Sequence, residues 1–450
     1  MEQRSPARQQ FSRRKSSIPA TNGNFILLYG FIKSPFGVRD MALNIVWVAF
    51  IVIAFIIALI KFIFLGDTTI FKVLVDGIFD SAKSSVVDVA FSLAGTMVFF
   101  LGLMNIAKEA GAINWLARKL NPFMKRLFPE VPDGHQAMGE MVMNFSANML
   151  GLDNAATPFG LKAMKSLEEL NPEKGTASNP QIMFLVLHTS GLVLIPLSIF
   201  TYRIAAGSTD ATSVFIPCVL GTVITTLATI FVVGIKQKLK WDFVFSAWII
   251  SLLALVAALM AAVFFMSPEM KNTFSTVTGN VVLLIIIVAI ILGGVWKKVS
   301  VFDAFIEGAK EGFNVVLKII PYLVGMLVAI RVFRDSGALG YITDGIAYLL
   351  HLTGVNTDFV PALPTAIMKP FSGSGARGLM IDTMNAYGAD SFVGKVACTF
   401  QGSADTTFYI LALYFGSVGI KKVRYSVWAG MAADFIGVIA AIFISYIFFR

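Results

Sequence analysis

The sequence contains little charge and few residues that bind metals or form disulfides. Charged residues make up 14% of its 450 residues, and it has two cysteines and three histidines. Cys218 and Cys398 lie in separate apolar stretches, without CxxC or Cys/His spacing, which argues against a zinc site or a disulfide framework. The histidines are too scattered to indicate a metal cluster. We therefore predict no metal site and no cofactor.

Motifs of common hydrolases are also missing from the sequence. It has no HExxH motif, no GxSxG motif on a strand-turn-helix and no Cys/His pair. An intramembrane protease could be imagined from Ser146 or Ser374 with His188, but their spacing carries no specific signal. We expect that the chain is not an enzyme.

Apolar residues are correspondingly abundant. They make up 56% of the chain, including 40 phenylalanines, and the mean hydropathy is +0.77. A soluble domain of this length cannot hide that much apolar surface, because its exterior must be solvated. The sequence therefore predicts an integral membrane protein surrounded by a lipid bilayer.

The net charge of +9 does not indicate a nucleic-acid partner. The basic residues lie between apolar runs and at their ends, and no basic face with stacking aromatic residues is recognisable. This distribution is typical of the charge bias that orients membrane proteins. We therefore predict no nucleic-acid binding.

The first 40 residues differ from the rest because they are basic and rich in Ser, Gln and Pro. A secretory signal peptide has a short apolar core followed by a small-residue cleavage site. Here the first apolar run, residues 44–65, is long enough to span a bilayer. We expect an uncleaved anchor behind a disordered basic tail, residues 1–40.

Nine stretches of the chain are predicted to cross the membrane, because a spanning helix needs roughly 20 apolar residues. They are residues 44–65, 86–107, 181–203, 214–234, 243–266, 280–296, 313–333, 392–417 and 425–449. Basic loops at 236–240, 297–298 and 421–424 mark the cytoplasmic side. Strict alternation then places the N-terminus in the cytoplasm and the C-terminus outside.

Two stretches broken by Pro, Gly and Asn, residues 108–179 and 334–391, resemble each other. The run FSAN at 145–148 and the run FSGS at 371–374 are each followed by a Gly-Leu helix start. Two predicted spans precede and two follow each stretch, so the order is span, span, broken hairpin, span, span. The first stretch holds eight Lys/Arg and the second three, so we expect the first to face the cytoplasm and the second the exterior.

The sequence therefore predicts two inverted repeats, each with a broken or re-entrant helical hairpin, joined by one reversing helix. The predicted limits are 41–235 for the first repeat, 236–279 for the linking helix and 280–450 for the second repeat. Inverted repeats that meet near the membrane midplane are typical of secondary transporters. The alternative is an ancient duplication without transport, as in a scaffold.

The first broken segment, residues 144–160, is rich in polar side chains before a helix start. Its candidate site residues are Asn144, Asn148, Asp153, Asn154 and Thr157. Several of these could simply cap the following helix, since Asp, Asn and Thr accept hydrogen bonds from its free amides. Within a membrane, however, unwound backbone persists only where it is buried in protein or lines a cavity. We favour a re-entrant hairpin tip that faces a polar path.

The second broken segment, residues 369–378, combines serines with closely spaced glycines. Ser372, Ser374 and Arg377 are its candidate site residues, and the glycines allow close approach of backbone or ligand. Arg377 at a helix start opposes the helix dipole, so it should have an acidic partner or meet an anionic substrate. The candidate partners are Asp153, Asp382 and Asp405.

Polar residues also occupy the middle of two predicted spans, where ionisable groups are costly and tend to be functional. The candidates are His188, Ser190, Gln401, Ser403, Asp405 and Thr406. Asp405 is the predicted site of ion or proton coupling, and a lone carboxylate there would need Lys395, Arg377 or a cation. For His188 the alternative is a neutral imidazole that is hydrogen-bonded to a neighbouring helix.

Other charged residues in the apolar spans have simpler explanations. Arg203, Arg331 and Arg334 lie near span ends, where we expect their side chains to snorkel to the interface. Asp434 could hold helices together or belong to the path. Gly293 and Gly294 could pack helices within one chain or between copies in a homo-oligomer.

The two broken segments resemble a known family of membrane proteins. Residues 144–164, NFSANMLGLDNAATPFGLKAM, are similar to the spore maturation A proteins, and residues 361–378, PALPTAIMKPFSGSGARG, to the spore maturation B proteins. Over roughly residues 41–450 the chain resembles a fusion of the two, within the nucleoside-recognition (Gate) group. Concentrative nucleoside transporters and the membrane part of ferrous-iron transporters are more distant relatives. The resemblance implies that the broken segments are gates that open a path.

Two functional hypotheses follow. The first is a secondary transporter or gated permease in a bacterial cytoplasmic membrane, which moves an unidentified small polar solute between the hairpin tips and is coupled to an ion through Asp405. The second is a non-transporting membrane module that assembles with partner proteins or regulates them. Convergence of Asp153, Arg377 and Asp405 on one cavity would favour the first.

Overall fold

The computed structural model describes residues 38–450, including every side chain except those of residues 38–43, 153–155, 244, 268 and 272. Over this range all regular elements are helices, which confirms the predicted all-α membrane fold. Of the basic tail predicted for residues 1–40, the last three residues belong to the first helix. Its other residues lie outside the described range.

The helices follow each other with short connections. The first are α1 (Val38–Leu65), α2 (Ile70–Ser84), α3 (Phe91–Glu109), α4 (Ala112–Leu127), α5 (Gln136–Met149), α6 (Asp153–Leu170), α7 (Asn179–Thr189), α8 (Leu197–Ala205) and α9 (Phe215–Gln237). The others are α10 (Phe243–Phe264), α11 (Pro268–Trp296), α12 (Val301–Asp335), α13 (Ala338–His351), α14 (Leu363–Met368), α15 (Gly373–Tyr387), α16 (Phe392–Gly402), α17 (Thr407–Ser417) and α18 (Ser426–Phe449). A π-helical turn, Ser85–Ala90, joins α2 to α3.

Seven helical segments of the described chain are long and apolar enough to cross a bilayer. They are Asn44–Leu65, Ile70–Glu109, Ala211–Gln237, Phe245–Phe264, Glu269–Trp296, Val301–Asp335 and Ser426–Phe449. Each overlaps one of the predicted spans. Large apolar side chains on these helices point outward, as lipid contact requires; Trp296, for example, is almost fully exposed. The protein is therefore a multi-pass membrane protein.

The two remaining predicted spans, residues 181–203 and 392–417, are not continuous helices. Each consists of two half-helices around an unwound segment: residues 190–196 between α7 and α8, and residues 403–406 between α16 and α17. Gly191 adopts a φ of +60°, which a right-handed helix cannot accommodate. The second break coincides with a polar Ser-Ala-Asp-Thr sequence. Seven continuous spans make nine crossings only if each pair of half-helices together crosses the membrane once. The predicted number of nine crossings therefore stays a prediction.

Both halves of the chain contain the same order of elements. In each, a long helix ends before a glycine in the left-handed region, Gly111 (φ 80°) or Gly337 (φ 91°). An amphipathic helix follows (α4 or α13), then a helical hairpin (α5–α6 or α14–α15). The broken span comes next and begins at a serine, Ser178 or Ser391, whose hydroxyl accepts a backbone N–H of the first turn. A last long helix, α9 or α18, completes each half.

Equivalent long helices from the two halves pack against each other in antiparallel pairs. Glycines allow α12 to approach α3 closely: a Cβ built on Gly308 would lie 2.5 Å from the Leu101 carbonyl oxygen, and one on Gly312 would lie 2.9 Å from that of Met97. Higher residue numbers in α12 therefore meet lower numbers in α3. In the same way, the start of α9 clusters with the end of α18.

Candidate functional site

A polar cavity of about 360 Å³ lies where the two hairpins and the two unwound segments meet. Small-molecule sites typically enclose roughly 300–1,000 Å³, so this cavity has room for a small solute. Nine of the fourteen residues predicted from the sequence line it: Asn148, Thr157, His188, Ser372, Ser374, Arg377, Gln401, Asp405 and Thr406. The fold thus brings residues from both halves of the chain to one site.

The other five predicted residues are not among those that line the cavity. Asn144 is fully buried behind it. Ser190 and Ser403 are turned toward their own helices, because their hydroxyls donate to the carbonyls of Leu187 (2.6 Å) and Phe400 (3.0 Å). The side chains of Asp153 and Asn154 lie outside the described residues. The role of all five in a path stays a prediction.

The two unwound segments touch each other directly. The backbone N–H of Asp405 donates to the carbonyl of Thr189, the last residue of α7, at 2.8 Å. This bond satisfies one of the carbonyls that a helix end leaves without an intrahelical partner. Gly191 lies against the same backbone, since a Cβ at this position would be 2.9 Å from the Asp405 nitrogen. The breaks in the two spans therefore form one joint between the halves.

Each hairpin tip is attached to the broken span of its own half. In the first half the backbone N–H of Leu194 donates to the carbonyl of Met149 at 2.8 Å. In the second half the N–H of Phe408 donates to the carbonyl of Pro370 at 3.0 Å. The equivalence of these two bonds agrees with the common order of elements. A movement of either tip must therefore involve its broken span.

His188 is held by a polar network from the first hairpin. Asn144 donates through Nδ2 to the carbonyl of Ala156 at 2.7 Å, which orients its Oδ1 toward His188. Since Oδ1 only accepts, His188 donates to it through Nδ1, at 2.9 Å. Asn148 Nδ2 lies 3.4 Å from His188 Nε2. The imidazole thus bonds to a neighbouring helix, as one of the two predictions for it stated, and its ring also lines the cavity.

The second hairpin presents hydroxyl and cationic groups to the cavity. Ser372 caps α15 by accepting the N–H of Gly375 at 3.1 Å, and the hydroxyl of Ser374 lies 3.2 Å from that of Ser372. Arg377 Nε donates to the carbonyl of Gly373 at 3.2 Å. Thus the glycine-rich run combines helix capping with a cation at the cavity wall.

Asp405 shares the cavity with Arg377, one of the partners that the sequence suggested for it. Its Oδ1 accepts the backbone N–H of Thr406 at 2.7 Å. Lys395, the other suggested partner, instead places its ammonium 5.2 Å from the ring centre of Phe449. Of the three alternatives for Asp405, the structure therefore does not support Lys395, and Arg377 or a cation stays a prediction.

Sequence reasoning missed several residues that line the cavity, notably Lys369, Tyr409 and Tyr414. Lys369 is buried, and its Nζ donates to the carbonyl of Gln401 at 2.8 Å. Its position directly before the glycine-rich run was the one available signal. The two tyrosines lie on α17, Tyr409 in its first turn and Tyr414 in its second. Because this helix consists mainly of apolar residues, its sequence gave no indication that these side chains line a polar cavity.

Arg203 does not snorkel as predicted, because it is fully buried (0% exposed). Its guanidinium donates to the carbonyl of Ala389 and to the carboxylate of Asp390, both at 2.7 Å. Further donors reach Ser208 and the carbonyl of Asp210 at 3.0 Å. Arg203 therefore joins the end of α8 to the loop between α15 and α16 in the other half.

The groups around Asp390 lower the pKa of its carboxyl, which lies outside the spanning segments. Partial burial by itself raises the pKa of this carboxyl. Hydrogen bonds from Ser208 and Thr209 and the charge of Arg203 outweigh burial and hold the pKa below its usual range.

Arg334 pairs with the carboxylate of Asp382 at 2.7 Å. Asp382 was one of the partners that the sequence suggested for Arg377.

Replacing Gly191 with alanine is expected to reduce the free energy of unfolding by about 2–3 kcal/mol. The left-handed backbone costs an L-residue roughly 1–2 kcal/mol, and the new methyl would overlap the Asp405 backbone. Gly419 is a matched control, because its φ of +72° is similar and a Cβ there would meet nothing within 4 Å of the described atoms. Denaturation of both variants in detergent measures the difference. Equal losses for the two variants would contradict the tight joint.

Comparison with known proteins gives two matched stretches and two similar relatives. The family model described as nucleoside recognition (Gate) matches residues 90–236 and 316–421, together more than half of the chain. Each stretch contains one hairpin and one broken span. The chain is 48% identical over 165 residues to spore maturation protein B of Bacillus subtilis (strain 168), covering 37% of this chain and 91% of that protein. It is 36% identical over 189 residues to spore maturation protein A of the same organism, covering 42% of this chain and 92% of that protein.

Proposed function

Because the chain belongs to the nucleoside-recognition (Gate) family, we propose that it is a transporter or gated permease for a small polar solute. The solute would occupy the cavity between the hairpin tips and cross a bacterial cytoplasmic membrane there. The observation that carries this proposal is the convergence of both hairpins and both unwound segments on one polar cavity. Broken helices that meet at a site are a recurrent feature of secondary transporters.

The charges that line the cavity support a polar or anionic solute. Lys369 and Arg377 face one carboxylate, that of Asp405. Hydroxyls and amides supply additional hydrogen-bond donors and acceptors. A solute with a carbonyl, hydroxyl or acidic group would therefore find complementary partners.

An inverted relation between the halves would allow alternating access. The antiparallel packing of α3 with α12 and of α9 with α18 supports this relation, because an inverted repeat places equivalent helices in opposite directions. The loop charges support a cytoplasmic N-terminus and a first hairpin that faces the cytoplasm. Opening of one hairpin tip at a time would then expose the cavity to one side of the membrane.

The second candidate is a non-transporting scaffold or regulatory module that works with partner proteins. The names of the two similar relatives favour it, since both refer to spore maturation and not to transport. A homo-oligomer belongs to the same candidate. Gly293 on α11 has open space beside it among the described residues, so this helix could pack against a second copy.

An uptake screen in proteoliposomes distinguishes the two candidates. Purified protein would be reconstituted and tested with labelled nucleosides, small carboxylates and metal ions, with protein-free liposomes as the control. Saturable uptake of one class that exceeds the control supports transport. Absence of uptake for every class, together with tight co-purification of a partner protein, would reject transport in favour of the scaffold.

A further inference from the structure

Asp434 on α18 is a buried carboxylate behind the cavity wall. Its side chain is part of a spanning helix and the residue is only 6% exposed. Oδ2 accepts a hydrogen bond from the Thr407 hydroxyl at 2.7 Å. Oδ1 has no hydrogen-bond partner among the described residues. A carboxylate with one bare oxygen at this depth is costly, and intramembrane carboxylates usually bind or relay an ion.

The packing around Asp434 decides which ion fits. A Cβ at Gly430 would lie 2.6 Å from the Thr407 side chain, and one at Gly437 would overlap Thr225 of α9. Glycine thus brings α18 against α17 on one side and α9 on the other. A metal cation needs several oxygen ligands and space for them. A proton needs only one oxygen, and Oδ1 is available.

Asp434 is connected to the cavity through Thr407. This threonine is the first residue of α17 and directly follows Asp405 and Thr406, which line the cavity. Gln401 lines the cavity at the end of α16, and its Oε1 also has no hydrogen-bond partner among the described residues. A side chain with an unpaired oxygen is therefore found at each end of the unwound segment 403–406: Gln401 lies before it, and Asp434 is bonded to Thr407 directly after it.

The charged side chains that act on Asp434 among the described residues are Lys369, directly after α14, and Asp405, in the unwound segment 403–406. Lys369 attracts the charge of the carboxylate, and Asp405 repels it. Both lie at the cavity, so a solute that binds between them changes the field at Asp434. The position of this carboxylate therefore suits a group whose charge responds to occupation of the cavity.

We propose that Asp434 is a proton-binding site that couples proton movement to movement of the solute. This inference rests on the proposed transport function and assigns its coupling group to Asp434 in place of Asp405. One proton adds to Oδ1 of Asp434 from the side of the membrane to which the cavity is open. It later leaves to the other side of the membrane, so only an O–H bond forms and breaks. Neutralising Asp434 weakens its hydrogen bond to Thr407, which frees the start of α17 to shift with the gate.

Infrared difference spectroscopy tests proton binding without knowledge of the solute. A pH titration of the wild-type protein in lipid should show, among the carbonyl stretches of its protonated carboxyls, one band from a carboxyl in an apolar environment, and the same titration of Asp434→Asn should lack that one band. Asp358→Asn is the matched control, because Asp358 is a solvent-exposed carboxylate paired with Arg450. An unchanged signal in Asp434→Asn, or its loss in Asp358→Asn alone, overturns the assignment.

Uptake driven by a pH gradient tests coupling. With a solute found in the screen, Asp434→Asn should lose at least ~10-fold of gradient-driven accumulation while solute exchange at equal pH persists, because asparagine keeps an acceptor for Thr407. Thr407→Val should keep the infrared signal, since the carboxyl of Asp434 still titrates in that variant. Accumulation that follows a sodium gradient, or that Asp434→Asn leaves intact, overturns the proposal. An infrared signal without uptake of any solute rejects the transport function and leaves the proton site standing.

Discussion

Replacing Arg203 with methionine is expected to lower the free energy of unfolding by about 3–5 kcal/mol, because a fully buried guanidinium loses at least two hydrogen bonds, and a hydrogen bond to a charged group contributes about 1.5–3 kcal/mol. Methionine has a similar length but no donor. It would remove the donors that Arg203 supplies to the carbonyls of Ala389 and Asp210, and it would leave the carboxylate of Asp390 with hydrogen bonds from Ser208 and Thr209 but without a cation. Because these acceptors belong to both halves, the loss should appear as one cooperative decrease in stability. Chemical denaturation in detergent measures it.

Arg450→Met is the matched control for this measurement. Arg450 also pairs with an aspartate, Asp358, but both side chains are about half exposed, so its removal should cost only about 0–1 kcal/mol.

The contribution of Asp390 to the free energy of unfolding should further depend on pH. Since its folded-state pKa is lowered, the stabilisation is present above the ordinary aspartate pKa of about 3.9 and is lost in stronger acid. Equal stability of Arg203→Met and Arg450→Met would contradict the inference that the hydrogen bonds of buried Arg203 hold the two halves together.

Replacing Arg377 with glutamine is expected to reduce solute uptake by ~10- to 100-fold. A hydrogen bond to a charged group contributes about 1.5–3 kcal/mol, and about 1.4 kcal/mol corresponds to a tenfold change in affinity. Glutamine keeps polarity at the cavity wall but removes the charge. The effect should therefore appear mainly as a higher KM. Arg377→Lys, which retains the charge without the planar fork of donors, should lose less.

Arg118→Gln provides the control for the uptake measurement, because Arg118 is exposed on α4 and lies outside the cavity. Denaturation of Arg377→Gln separates binding from folding, since Arg377 also donates to the carbonyl of Gly373. Uptake at the wild-type level with a stable Arg377→Gln protein would remove Arg377 from the solute site.

Hydropathy and loop composition were sufficient to predict the fold class and most spanning helices, because lipid imposes its requirement on each segment separately. The breaks at 190–196 and 403–406 were not predicted, because the flanking residues remain apolar enough for a continuous span. Whether a glycine such as Gly191 bends a helix or adopts positive φ depends on what packs against it. Here the backbone of Asp405, from the other half, decides.

Candidate site residues could be selected from the sequence by their polarity within apolar segments, and nine of them line one cavity. Their contacts could not be predicted. The bond between Asn144 and His188 joins residues that are far apart in the sequence, and its direction depends on how Ala156 orients the amide. Arg203 shows the same limit. Its distance from the end of a span suggested snorkelling, but its partners come from a loop almost 190 residues away.

The joint between Thr189 and Asp405 also bears on how the two halves stay together. If the chain were cut between α9 and α10, this bond and the clamp of Arg203 would become contacts between subunits, whose occupancy falls with dilution. In one continuous chain the same contacts form at an effective concentration that the linking helix α10 fixes and that dilution does not change. Linking the halves therefore makes assembly of the cavity independent of expression level, and it guarantees one copy of each half for every cavity.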